Sequence, residues 1–334
     1  MSLSGTSLTL AARRVISEIG SRTDLSRKPR SRQFVTPTRN NQPTGGWRIA
    51  GVLASIPDEV SEASAEAAVT MAGGIFRNFE RVEEMVERDV NVTGRSGAIP
   101  SFAVCPDGPG ALPGIILYMD APGIREELRN LARRIAKHGY FCLLPDMYYR
   151  IGTLRFDFVR RAEGMRPTMF AAMNSLTNAL VTEDTAACLG FLDAQDKVKP
   201  GTIGCIGYCM SGRYVTTVAA RFPNRFAASA SLYGVGIVTD AEDSPHLLID
   251  RIKGEMYFGF AETDEHVPAN VIPTLKSALD KAGTRYGLDV FPNSRHGFQF
   301  PERDVYETHA AEESWSKIVA MWDRNLKGNT PREF

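Results

Sequence analysis

A chain of 334 residues is long enough to bury a large core, as one large domain or two ordinary ones. Its 43% hydrophobic and 23% charged residues are those of a globular protein, and 39 basic residues balance 39 acidic ones. That balance leaves no net field to draw nucleic acid or an anionic membrane, no apolar run approaches the roughly 18 residues of a membrane span, and a small neutral or weakly charged partner is expected.

Five scattered cysteines, Cys105, Cys142, Cys188, Cys205 and Cys209, are an odd number with no paired CxxC spacing and no nearby His pair. They are expected to be reduced thiols in a cytoplasm, with no metal and no cofactor.

Residues 1–46 carry eight Arg or Lys against Glu18 and Asp24, which makes them compositionally foreign to the rest. They are expected to form a disordered or extraneous basic arm, followed by an extension over 47–84, with the folded domain spanning 85–328. Alternation in VNVTGRSGAIPSFAV, 90–104, predicts two strands about a polar turn. The continuous apolar run GIILYM, 114–119, predicts a strand buried on both faces. Ile124, Leu128, Leu131 and Ile135 mark one face of a helix that Gly139 would cap, and YFCLLPD is the next strand. The stretch 147–180 mixes aromatics with arginines and is expected to make helical excursions over a site.

After a helix over 182–196 come the strand TIGCIG, a helix from about 210, the strands FAASASLYG and EMYFGF, a helix after Pro268, the strand YGLDVF and a closing helix. This alternation predicts an α/β fold, a mostly parallel sheet with helices on both faces and ligands beyond the strands' carboxyl ends.

The segment Gly207-Tyr208-Cys209-Met210-Ser211-Gly212 runs from strand to helix with small residues on either side of a cysteine. It matches the spacing of a nucleophile elbow with sulfur in place of the serine oxygen. Gly207, and Ser211 or Gly212, would let the helix pass close to the strand, and a helix N-terminus favours thiolate over thiol. Cys205, inside the strand, is expected to pack instead.

Of five histidines, His296 follows the last strand in FPNSRHGF, where an α/β-hydrolase carries its base; His138, His246 and His309 are expected to be cap or surface residues. Asp264, in GFAETDEHVPA after the preceding strand, is the expected acid, with Glu262, Glu265 and His266 as rivals on the same loop. The order is Cys209, Asp264, His296. The Met210 and Ala121 N–H groups would form an oxyanion hole. Tyr118, Tyr208 and Tyr233 either line the pocket or pack near strand ends.

With these residues in place, the chain resembles the dienelactone hydrolase family over 85–328, through YMDAPGIREELRNLARRIAKHGYFCLLPDMYYR, GCIGYCMSG, SLYGVG, TDEHVP and SRHGF. The resemblance implies an α/β-hydrolase fold and a Cys-His-Asp triad that hydrolyses enol lactones or related esters, as a carboxymethylenebutenolidase does. It puts the nucleophile on Cys209, the acid on Asp264 and the base on His296. It places Asp120 where the family has a glutamate that holds the resting thiol. A family arginine ahead of the nucleophile would fall on Arg160 or Arg161. The arginine four residues after the histidine is Phe300 here, and the next is Arg303. Two other readings are a cysteine amidotransferase or peptidase-like enzyme, against which SRHGFQF lacks a His-x-Glu pair, and a non-catalytic small-molecule-binding protein on the same fold.

Overall fold

A computed structural model describes residues 84–156 and 164–328. The expectations for residues 1–83, and those for Arg160 and Arg161, lie outside the described residues. The described part contains eight strands in one sheet, in the order β1-β2-β4-β3-β5-β6-β7-β8.

β1 (Met85–Gly94) and β2 (Gly97–Pro106) form the expected antiparallel hairpin about Arg95 and Ser96. β2 also pairs antiparallel with β4 (Phe141–Pro145), and every later pairing is parallel. β3 (Gly114–Tyr118) and β5 (Ile203–Tyr208) lie at the centre and are buried along their whole lengths. A strand covered on both faces can carry apolar residues at every position, which is why these two read as continuous runs.

Helix α1 (Glu126–Lys137) buries Leu128, Leu131 and Ile135 as their spacing predicts, with Glu126 and Glu127 in its first turn and Arg134 and Lys137 in its last. That charge order complements the helix dipole. His138 is the C-cap, and Gly139 follows with φ +78°, the left-handed turn that ends the helix. Among its described residues the long segment after β4 contains one helix, α2 (Met165–Asn174), and α3 (Asn178–Asp193) begins four residues earlier than expected. The Thr177 side chain caps α3 by accepting from the Leu180 N–H at 3.1 Å, a start signal the apolar periodicity does not carry.

β6 (Phe226–Leu232), β7 (Glu255–Thr263), α5 (Val271–Ala282), β8 (Tyr286–Arg295) and α6 (Thr308–Trp322) complete the chain, with α4 (Gly212–Arg221) between β5 and β6. α1 and α6 pair through Trp315, whose indole N–H donates to His138 at 3.1 Å, while α3 and α4 pack together elsewhere. The sheet is thus the expected mostly parallel one with helices on both faces. No helix among the described residues is long and apolar enough to cross a membrane.

Candidate active site

Sheet register brings the site together. Thr263 of β7 pairs with Arg295 of β8, so the next residue on each strand, Asp264 and His296, emerges at the same carboxyl edge. Likewise Tyr208 of β5 pairs with Leu232 of β6, which sets Cys209 beside Tyr233.

Cys209 has φ +54° at the start of a single 3-10 turn that leads into α4. An L-residue in this region costs about 1 kcal/mol or more, and such strain is retained where the surrounding structure imposes it. The glycines explain the imposition. A Cβ on Gly207 would meet the Ser211 carbonyl oxygen at 2.8 Å, and one on Gly212 would run into the Gly234 backbone. Both small positions are needed for helix, strand and loop to cross this closely. The only other described non-glycine residues with positive φ are Tyr233 and Asn293, both toward the same edge.

His296 Nδ1 lies 2.7 Å from Asp264 Oδ2, and Asp264 Oδ1 accepts the His266 backbone N–H at 2.9 Å. Of the rival acids, Glu262 accepts the Asn293 backbone N–H at 2.8 Å, and Glu265 faces Arg166 and His266. The second nitrogen of His296, Nε2, is buried without a hydrogen-bond partner of ordinary geometry among the described residues. Cys209 is nevertheless close enough to act on the ring. Burial opposes the imidazolium, but the Asp264 hydrogen bond and the Cys209 sulfur outweigh it and push the pKa up to about 10.

The sign for stability follows from linkage. A histidine whose pKa is raised on folding contributes fully below its unfolded value and loses that contribution as pH rises through the folded one. The melting temperature is expected to fall more steeply in the wild type than in His296→Gln between pH 6.5 and about 10. Parallel thermal melts across that range check it.

The loop after β3 is stitched to the elbow. The Ser211 hydroxyl donates to the Met119 carbonyl, and the Tyr148 hydroxyl donates to the Ala121 carbonyl at 2.8 Å while lying 3.4 Å from Met210 Sδ. Tyr148 therefore ties together the two segments whose amides, Ala121 and Met210, were expected to form an oxyanion hole. Tyr148 is 27 residues from Ala121 and 62 from Met210, too far apart for any local pattern to report these contacts.

Asp120 is completely buried, and its carboxylate is gripped by arginines. Arg125 reaches its two oxygens at 2.6 and 3.1 Å, and Arg303 reaches Oδ2 at 2.7 Å. Both guanidinium groups also engage Glu127. Burial alone would raise the Asp120 pKa; Arg125 and Arg303 reverse this and hold it below the usual carboxylate range. Phe300, at the position of the family's arginine, is buried beside both cations, its ring 4.3 Å from Arg303 and 5.3 Å from Arg125. Arg303, three residues further along the chain, pairs with Asp120 and Glu127.

The three tyrosines divide. Tyr118 bonds through its hydroxyl to Thr185 of α3 at 2.7 Å, deep in the core, and follows the packing alternative. Tyr208 and Tyr233 are buried side by side, ring centroids 5.9 Å apart, and Tyr233 stands edge-on to His296 at 5.0 Å. Neither hydroxyl has a hydrogen-bond partner among the described residues. Cys205 is fully buried, and burial pushes its thiol up to about 12, as suits a packing residue.

Comparison with known proteins agrees with this architecture. The model of the dienelactone hydrolase family matches residues 99–326. A protein of Synechocystis sp. named "Putative carboxymethylenebutenolidase" is 26% identical over 245 residues, covering 71% of this chain and 96% of its own length. Among solved structures, a "Putative Dienelactone Hydrolase" from Klebsiella pneumoniae superposes with a TM-score of 0.65 at 22% identity, over 72% of this chain and 99% of that one. P91, a dienelactone hydrolase-like promiscuous phosphotriesterase from metagenomic libraries, gives 0.61 at 19% identity over the same shares. At these identities the structures speak for the fold, whereas the family model spans most of the described chain: the protein belongs to the dienelactone hydrolase family and is a hydrolase acting on ester bonds.

Proposed function

We propose that the protein hydrolyses a small lactone or ester through a thioester on Cys209. The observation that carries this reading is the 2.7 Å contact between His296 and Asp264 at the strand edge that also presents Cys209 in its strained elbow.

His296 Nε2 takes the proton from the Cys209 thiol, and sulfur attacks the substrate carbonyl carbon to give a tetrahedral oxyanion. The Met210 and Ala121 N–H groups stabilise that oxyanion, each such donor contributing about 3 kcal/mol in the transition state. The C–O bond to the leaving group then breaks as His296 returns the proton to the departing oxygen. A thioester remains, joined to the alcohol end of the same molecule if the substrate was a lactone. Water attacks the thioester while giving its proton to His296; the C–S bond breaks, the sulfur regains the proton, and the carboxylic acid leaves. Asp264 holds the imidazole by Nδ1 throughout, so that Nε2 faces the sulfur.

Among the described residues, Arg125 and Arg303 are engaged by Asp120 and Glu127. The test is to mix the enzyme with a p-nitrophenyl ester, quench in acid and weigh the peptide containing Cys209. An acyl adduct on that cysteine, absent in Cys209→Ala, together with turnover of simple lactones and esters that the variant loses, is the expected result. Full activity in Cys209→Ala on every substrate would overturn the mechanism.

A further inference from the structure

We propose that His266 is a positioning residue of this site, which braces His296 while its own ring is neutral and weakens it as a base when that ring is protonated. The proposal rests on the triad reading above. It is carried by a shared anchor: the Asp264 carboxylate holds His296 Nδ1 with one oxygen at 2.7 Å and the His266 backbone N–H with the other at 2.9 Å. Asp264 thus holds the His296 ring directly and the His266 backbone beside it. The two imidazoles meet edge to face, ring centroids 4.7 Å apart and planes at 83°, an arrangement in which one ring's edge fixes the other's rotation.

The charged groups facing His266 are Asp264 and Glu265 of its own loop, His296 after β8, and Arg166 of α2, which lies 3.8 Å from Glu265. Glu265 stands 3.6 Å from His266 Nε2. Burial, the positive His296 and Arg166 lower the pKa of His266 and outweigh Asp264 and Glu265, which raise it. The His266 ring therefore holds a proton less readily than an ordinary imidazole.

Both proton transfers in the mechanism leave a positive charge on His296. In the thioester stage no thiolate balances that charge, so a second imidazolium one ring away bears directly on water activation. Deacylation is expected to slow once His266 carries a proton, because that charge beside His296 makes it a weaker base.

The test measures kcat, and in parallel the rate of iodoacetamide alkylation at Cys209, from about pH 5 to about pH 8 for wild type, His266→Phe and His266→Gln. Wild-type kcat is expected to drop about tenfold on the acid side through an ionisation absent from both variants. Phe, which restores an aromatic edge, should keep wild-type kcat near pH 8, while Gln should lose about three- to tenfold there. Should Phe disturb folding, the shape of the Gln profile decides alone. An acid limb in either folded variant identical to that of the wild type overturns the proposal. If alkylation of Cys209 in otherwise wild-type protein is unaffected by His296→Gln, the triad reading fails and this proposal with it; if that dependence is intact and the acid limbs coincide, only the role of His266 fails.

Discussion

Asp264→Asn is expected to lower kcat/KM on a p-nitrophenyl ester by about four orders of magnitude while leaving the fold intact. The asparagine can keep its carbonyl oxygen where Oδ1 now accepts the His266 N–H, at 2.9 Å, so the loop has no reason to move. What changes is the face toward His296. An amide N–H₂ would replace Oδ2, now 2.7 Å from Nδ1, and a donor facing that nitrogen selects the tautomer with its proton on Nε2. Nε2 could then no longer accept from sulfur. The imidazolium that forms in each step would also lose its counter-charge.

Controls follow from the same loop. Glu262 is occupied by the Asn293 N–H and Glu265 faces Arg166, so Glu262→Gln and Glu265→Gln should each stay within about threefold of the wild type. Steady-state kinetics with a melting curve for each variant checks all three. A drop of less than about tenfold in Asp264→Asn would move the acid elsewhere on the loop.

The loop offered four candidates in sequence, and the reason one stands out in space is register. Each residue of the Asp264–His296 pair directly follows a β7–β8 partner, Thr263 and Arg295. Chain order and strand ends are visible in a sequence because parallel strands buried on both faces have an apolar signature, and the residues after them can be counted. The elbow was legible for a related reason: only glycine fits where Gly207 and Gly212 meet backbone atoms, so the crossing leaves a compositional mark.

The ion cluster left no such mark. Arg303 is 183 residues from Asp120, and their contact depends on the path of the turn after His296, which no periodicity reports. Tyr148 was hidden likewise, and His266 stood out only as a rival to Asp264, since the value of each lies in which carbonyl or ring it touches. Asp120 was singled out through its alignment with the family's glutamate. Its surroundings give it a different set of partners, because Arg125 and Arg303 converge on both oxygens of the carboxylate.

Those partners make Asp120 the position where a single change is expected to cost most in stability. Asp120→Ala removes a fully buried carboxylate that three short contacts tie to two arginines, and both guanidinium groups lose that counter-charge. Breaking a buried pair from one side typically costs about 3–5 kcal/mol, which for a domain of this size lowers the melting temperature by about 6–20 °C. Asp120→Asn keeps the shape and loses only the charge, so it isolates the electrostatic part. The sign with pH is fixed by the direction of the Asp120 shift. A carboxyl held below its ordinary value of 3.8 contributes fully above that value and loses its contribution as pH falls through the depressed one. Wild type and Asp120→Asn should therefore differ most near neutrality and converge in strong acid, as melts across pH would show. The same variant separates the structural role from the family's. If Asp120 steadies the resting thiol, Asp120→Asn should change the alkylation rate of Cys209 with little loss of stability; if it anchors Arg125 and Arg303, stability should fall while alkylation of the surviving folded fraction keeps its wild-type rate. The three contacts to arginine favour the second outcome.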